Sequence, residues 1–161
     1  GTWQNSGSKW VFHVDDVFPS GNVLTASAIV FNSKNEFLMT FNTERNQWEL
    51  PGGHIDETET PEQGCIREVF EEGGVNIHHL TYFGFNKITN DSPVINKETN
   101  LAYPLPSYSV YYFCECNDEP MHPPIAIECE KAESFNLDSE KVTKFIQIIV
   151  NSALKLKNKA L

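Results

Sequence analysis

Gly53-His54-Ile55-Asp56-Glu57-Thr58-Glu59 and, after seven intervening residues, Arg67-Glu68-Val69-Phe70-Glu71-Glu72-Gly73-Gly74-Val75 form the stretch on which the fold turns. Pro51-Gly52-Gly53 opens it as a turn. Glu68, Glu71 and Glu72 are spaced i, i+3 and i+4, so a helix through them stacks three carboxylates on one face. Like charges at that spacing cost roughly 0.2–0.5 kcal/mol per pair. A chain gains no stability this way; divalent cations offset the repulsion.

The helix itself is well signalled. Thr60-Pro61-Glu62-Gln63 has the form of a capping box, with Thr60 as N-cap, Pro61 at the first helical position and Gln63 reaching back. Cys65, Ile66, Val69 and Phe70 supply an apolar side, and Gly73-Gly74 the residue type that ends helices. The pattern predicts a helix over about 61–72, with its acidic face turned away from Val69 and Phe70. Hard cations such as Mg²⁺ take oxygen ligands and keep several waters, so a few carboxylates hold them together with substrate phosphates. The stretch therefore points to phosphate chemistry. The plain alternative is a solvated acidic face, and for Glu59 a simple preference for negative charge near a helix start.

The spacing Gly-x5-Glu-x7-Arg-Glu-apolar-x-Glu-Glu-x-Gly-apolar resembles the Nudix box, and every position is filled: Gly53, Glu59, Arg67, Glu68, Val69, Glu71, Glu72, Gly74 and Val75. The resemblance covers residues 53–75, with Trp48-Glu49-Leu50-Pro51-Gly52 similar to the usual lead-in. It implies a Nudix hydrolase that cleaves the pyrophosphate bond of a nucleoside diphosphate derivative, on an α/β fold: an α/β/α sandwich around a mixed sheet. It further implies Glu68, Glu71 and Glu72 as metal ligands with the backbone of Gly53, Arg67 as the residue that orients them, and Glu59 in a lesser role. The implied cofactor is Mg²⁺, with Mn²⁺ as a substitute. The implied general base is Glu71 or Glu72 within the box, or a downstream acid. For the latter, Glu133 in Ala132-Glu133-Ser134-Phe135-Asn136-Leu137 is preferred over Glu130.

Length and composition agree with one compact domain. A chain of 161 residues, 40% hydrophobic and 21% charged, buries about two-thirds of its unfolded surface without disulfides. The expected division is an N-terminal extension over 1–20 and a single domain over 21–161. The four cysteines (65, 114, 116 and 129) lack zinc-site spacing. A reduced, cytoplasmic setting with idle thiols is the expectation. No run of 18 apolar residues or signal-peptide core occurs, so no membrane partner is expected. The formal net charge of −10 argues against a nucleic-acid polymer as partner, because such binders show basic patches. Small polyphosphates arrive as metal complexes and are not excluded.

Strands are expected over 25–31, 36–41, 48–50, within 76–89, over 108–116 and within 125–135. Val142, Phe145, Ile146, Ile149, Val150, Ala153 and Leu154 make one apolar stripe, predicting a C-terminal helix. Residues 90–106 form a long polar segment with three prolines, a length often tied to function.

Substrate cues outside the box are thin. Asp91 and Ser92 lie where sub-family signals for ADP-ribose or dinucleoside polyphosphates would fall and match neither, and Pro93 lies near that place but not at it. Trp48, Tyr82, Phe83, Phe85, Tyr111 and Phe113 can stack on a base, although strand aromatics are mostly core. A nucleoside triphosphate is the preferred small nucleotide substrate. The alternatives are ADP-ribose or a nucleotide sugar, or a nucleotide-sensing module that does not cut. The last usually lacks box glutamates, and this chain keeps them all. Isomerase chemistry on an allylic diphosphate would need a pocket cysteine and histidine ligands; Cys65 lies on the apolar side and His54 stands alone. Nothing in the chain reads as an oligomerisation signature.

Overall fold

The computed structural model describes residues 8–90, 95–96, 98–102, 106–120 and 129–159. Among these residues, eight strands form one mixed sheet and two helices cover it. In chain order these are β1 (Ser8–Val14), β2 (Asn22–Phe31), β3 (Phe37–Asn42), β4 (Gln47–Glu49), β5 (Gly52–His54), α1 (Pro61–Gly73), β6 (Thr81–Asn90), β7 (Ser107–Glu115), β8 (Cys129–Phe135) and α2 (Lys144–Lys159).

The sheet runs β1-β6-β7-β2-β3-β4, with β5 on β2 and β8 on β3. β2 and β7 pair in parallel from Asn22↔Ser107 to Phe31↔Glu115, while the other pairings are antiparallel. β2 and β3 share only the pair Phe31↔Phe37 next to their turn. Beyond it they diverge: β3 continues against β8, and the other half of β2 takes β5 instead. That divergence brings the Pro51-Gly52-Gly53 turn into the middle of the sheet.

Strand alternation sorts the core into two layers. Ala26, Ala28 and Val30 of β2 pack with Cys65 and Val69 of α1. Ile29 and Phe31 point the other way, to Ile146, Ile149, Val150 and Ala153 of α2. The α/β/α layering is therefore written residue by residue along β2.

Local readings hold with shifted ends. α1 carries the capping box: Thr60 Oγ1 accepts from the Gln63 amide at 3.2 Å, and Gln63 Oε1 accepts from the Thr60 amide at 2.9 Å. It closes on Gly74, whose φ of 71° is left-handed, with its N–H donating to the Phe70 carbonyl at 2.8 Å. α2 begins at Lys144, so Val142 of the expected stripe packs from the preceding turn. Within the expected 1–20 extension, residues 8–14 are the sheet's edge strand, in register with β6 from Ser8↔Asn90 to Val14↔Gly84. Asp91, Ser92 and Pro93, and residues 125–128 of the expected last strand, lie outside the described residues.

Candidate active site

Arg67 is the centre of the carboxylate cluster. Its Nε and Nη2 grip Glu59 at 2.8 and 3.0 Å, a bidentate pair. Nη1 reaches Glu68 Oε1 at 3.0 Å and Glu71 Oε2 at 3.2 Å, and Nη2 also reaches the His54 carbonyl at 3.1 Å. Asp56 stands 3.7 Å away. A guanidinium has five N–H donors in a rigid fork, and here one side chain ties the loop after β5 to the outer side of α1. The hydrogen bonds from Arg67 hold the Glu59 carboxyl below the usual carboxylate range, helped by the Asp56 amide at 3.0 Å. The same contacts, Glu59 first, raise Arg67 above its ordinary value.

Glu72 departs from the expectation of one outward acidic face. It is 8% exposed, and it sits with Cys65 and Val69 on the buried side of α1. The cause is the helical turn: position 72 follows 65 by seven residues, almost two full turns, which returns it to the core direction. A buried carboxylate needs donors. Glu72 Oε1 accepts from the Gly52 N–H at 2.7 Å, and Cys129 Sγ lies 3.3 Å from Oε2. Cys129 on β8 is a contact the sequence did not reveal, because it is 57 residues away along the chain. Cys65 and Cys114 are buried without such a role; burial pushes the Cys65 thiol up, and the Cys114 thiol up to about 12.

Gly53 lies on β5 directly beneath Glu68. A Cβ there would stand 2.7 Å from the Glu68 carboxyl carbon, so only glycine lets that carboxylate lie over the strand. Glu71 is the most open of the three, its side chain 38% exposed against 16% for Glu68.

The downstream candidates do not join this group. Glu133 pairs in register with Met39, and Phe135 with Phe37; Met39, Phe37 and Phe135 all belong to the α2-side core. Ala132 belongs to the α1-side core. By alternation Glu133 is directed to the face away from α1. Glu130 is exposed on β8, beside the irregularity where Phe41 and Asn42 meet Lys131 and Cys129.

Among the described residues, no three Asp, Glu, His or Cys side chains converge closely enough to ligate a metal ion as they stand. The donor set nevertheless fits a hard cation. Asp56, Glu59, Glu68 and Glu71 meet a single guanidinium, four carboxylates against one positive charge, and every side-chain donor is oxygen.

On the other face, Ser27, Trp48, Glu49, Leu50, Tyr111 and Phe145 line a cavity of about 270 Å³. Glu49 is pinned there by Arg45 at 2.8 and 2.9 Å and by Gln47 at 2.7 Å. Of the six aromatics singled out from sequence, Trp48 and Tyr111 reach this cavity, while Phe83 is fully within the core.

An α/β/α sandwich with an arginine-bound glutamate helix against a glycine turn is one defined class of fold. The family comparison names it: the NUDIX domain model matches residues 21–148, and the chain belongs to that family. Over 62 residues it is 39% identical to an 8-oxo-dGTP diphosphatase of Escherichia coli (strain K12), covering 36% of this chain and 48% of that protein. Over 92 residues it is 35% identical to an RNA pyrophosphohydrolase of Sulfurovum sp. (strain NBC37-1), covering 54% of this chain and 57% of that one. The chain thus spans about half the length of these relatives. In three dimensions it is similar to the pyrophosphohydrolase BsRppH of Bacillus subtilis, with a TM-score of 0.69 at 22% identity over 94% of this chain and 92% of the other. It is also similar to the NUDIX domain of Shewanella oneidensis NrtR in complex with ADP ribose, with a TM-score of 0.62 at 17% identity over 85% and 89%. No helix among the described residues is long and apolar enough to cross a membrane.

Proposed function

We propose that this protein hydrolyses the pyrophosphate bond of a nucleoside diphosphate derivative, with a nucleoside triphosphate, intact or oxidised, as the preferred substrate. The observation that carries it is the cluster of Glu59, Glu68 and Glu71 around Arg67, with Glu72 held from below by the Gly52 N–H. Glu68, Glu71, Glu72 and the backbone of Gly53 would hold Mg²⁺ or Mn²⁺. When bound, the ions would polarise the diphosphate and lower the pKa of the attacking water.

The chain's own groups have separable tasks. Arg67 fixes Glu68 and Glu71 relative to one another and to the loop holding Glu59. Glu72 is clamped by two donors and serves as an anchor rather than a proton carrier. Glu71 is the general base: it is the most open box carboxylate on α1, tied by one long bond of 3.2 Å, and keeps lone pairs to take the water proton. Glu133, directed to the other face, has no part in this step.

The test is a Mg²⁺-dependent turnover panel with products identified by mass, using Glu71→Gln as the blank. It spans ordinary and oxidised nucleoside triphosphates, ADP-ribose, nucleotide sugars and dinucleoside polyphosphates. One substrate class hydrolysed by the parent and not by the variant supports the proposal and names the branch. Binding without turnover in the parent would make the protein a sensing module.

A further inference from the structure

Cys129 meets Glu72 only because β8 breaks its own alternation. Ala132 pairs with Thr40 and Lys131 with Phe41, but the next pair is Asn42 with Cys129, and Glu130 is left out of the register. Two residues of β8 thus stand against one step of β3, the form of a β-bulge. Leu38 and Ala132 belong to the α1-side core, and Phe37, Met39 and Phe135 to the α2-side core. Strict alternation would send Cys129 to the α2 side with Lys131, Glu133 and Phe135. The extra residue reverses this and sets Cys129 beside Asn42, on the α1 face of the sheet. Bulges are enriched next to active sites, where they re-aim a side chain.

On that face the Cys129 thiol is 4% exposed and donates to Glu72 Oε2 at 3.3 Å. An ionised carboxylate only accepts, so the proton in this contact belongs to the sulfur. The Gly52 N–H holds Oε1 at 2.7 Å, and each oxygen of Glu72 therefore has its own donor, one from β5 and one from β8. Bonds to both oxygens stop the carboxylate from turning about its last torsion. The kind of donor matters as much as its place. A lysine or arginine there would cancel the charge of Glu72, whereas S–H is a weak, neutral donor that orients the carboxylate and leaves its charge for a cation. Sulfur is also a soft ligand, and Mg²⁺ takes hard oxygens, so the thiol does not compete for the ion.

We propose that Cys129 is a positioning residue for Glu72: the bulge at Glu130 aims its thiol at Oε2, and the S–H bond sets the orientation in which Glu72 receives a divalent cation. The inference rests on Glu72 as a metal ligand in the hydrolase reading above, and its test reads metal binding rather than turnover.

The experiment titrates Mn²⁺, followed by electron paramagnetic resonance, into the parent, Cys129→Ala and Cys129→Ser. Ile149→Ala, in the α2-side core, measures the effect of instability alone. Loss of a hydrogen-bond partner of a metal ligand costs about 10–100-fold in metal affinity, and Cys129→Ala is expected in that range. Cys129→Ser keeps a donor and recovers most of the loss, while Ile149→Ala binds Mn²⁺ as the parent does. If the thiol only filled space, serine, the more polar side chain in a buried place, would do no better than alanine. Unchanged Mn²⁺ affinity in a folded Cys129→Ala overturns the proposal, as does a loss that Cys129→Ser does not recover. The S–H stretching band of Cys129, isolated as the infrared difference between the parent and Cys129→Ser, gives a second reading in the parent fold. It shifts when Mg²⁺ is added, and a band that stays in place overturns the assignment. The two readings fail separately. Turnover by the parent with Mn²⁺ binding independent of Cys129 removes only the positioning role. Binding that depends on Cys129, without turnover of any nucleotide, removes only the hydrolase.

Discussion

The two helices cover opposite faces of one sheet and follow opposite electrostatic rules. α2 ends on Lys157 and Lys159, cations at the negative helix terminus, and buries Ile146, Ile149, Val150 and Ala153. α1 has no basic residue in its last turn and carries Glu68, Glu71 and Glu72 in its C-terminal half. Both the dipole and the mutual repulsion of those carboxylates act against it. Its compensation comes from Arg67 on the helix itself, which bonds Glu68 and Glu71, and from outside the helix through the Gly52 N–H to Glu72. A helix built for stability can be read from its own stripe and caps. A helix built for chemistry spends stability locally and recovers it through partners.

Substitutions should separate the two. Glu71→Gln should lower turnover about 10²–10⁴-fold, as loss of a general base does, while its melting temperature stays level or rises because a repulsion is relieved. Ile149→Ala should do the reverse, costing about 2–5 kcal/mol of stability in denaturant unfolding with kcat/KM of the folded fraction retained. If both substitutions damaged turnover equally, the division between the helices would collapse.

Arg67→Ala should cost roughly 10²-fold in kcat, the scale expected when a catalytic group is misplaced by about an ångström. It should also move the Glu59 carboxyl up towards its ordinary range, with the Asp56 amide still holding it partly down. In the parent, the folded value is depressed, so the stabilisation from Glu59 is complete above the usual glutamate pKa of about 4.3. It is lost as pH falls through the lower folded value. Carboxyl-carbon NMR titration of Glu59 in both proteins checks this, and identical titration curves would refute the arginine clamp. Lys159→Glu should destabilise α2 by only about 0.3–1 kcal/mol, more at low salt than at high. Glu133→Gln should leave turnover without a resolvable change; a large loss would move the general base to the other face of the sheet.

How far the site was legible depended on how local its interactions are. Thr60, Gln63 and Gly74 bracket α1 within a few residues of chain, and both caps form as read. Glu71 emerges beside Arg67 because residues four apart meet on any helix, whereas Glu68, the next residue, is met through the reach of the guanidinium. The acidic pattern alone places Glu72 outward with them; seven residues of helical rotation from Cys65 turn it inward. Motif order offers Glu133 as the downstream acid and carries no information on strand parity. Register with Met39 directs it away. Cys129 beside Glu72, and Asn86 beside Tyr111, are contacts across 57 and 25 residues that no periodicity announces.

The sequence by itself determined the family, the extent of α1 and the apolar stripe of α2, all of which are set by spacings shorter than two helical turns or by the box pattern. The tertiary structure decided which glutamate is buried, that residues 8–14 complete the sheet, and that β5 takes over from β3 along β2. The reason is physical. Helix caps and stripes depend on neighbours along the chain, whereas sheet register depends on partners tens of residues away, and a shift of one residue reverses the face each side chain meets.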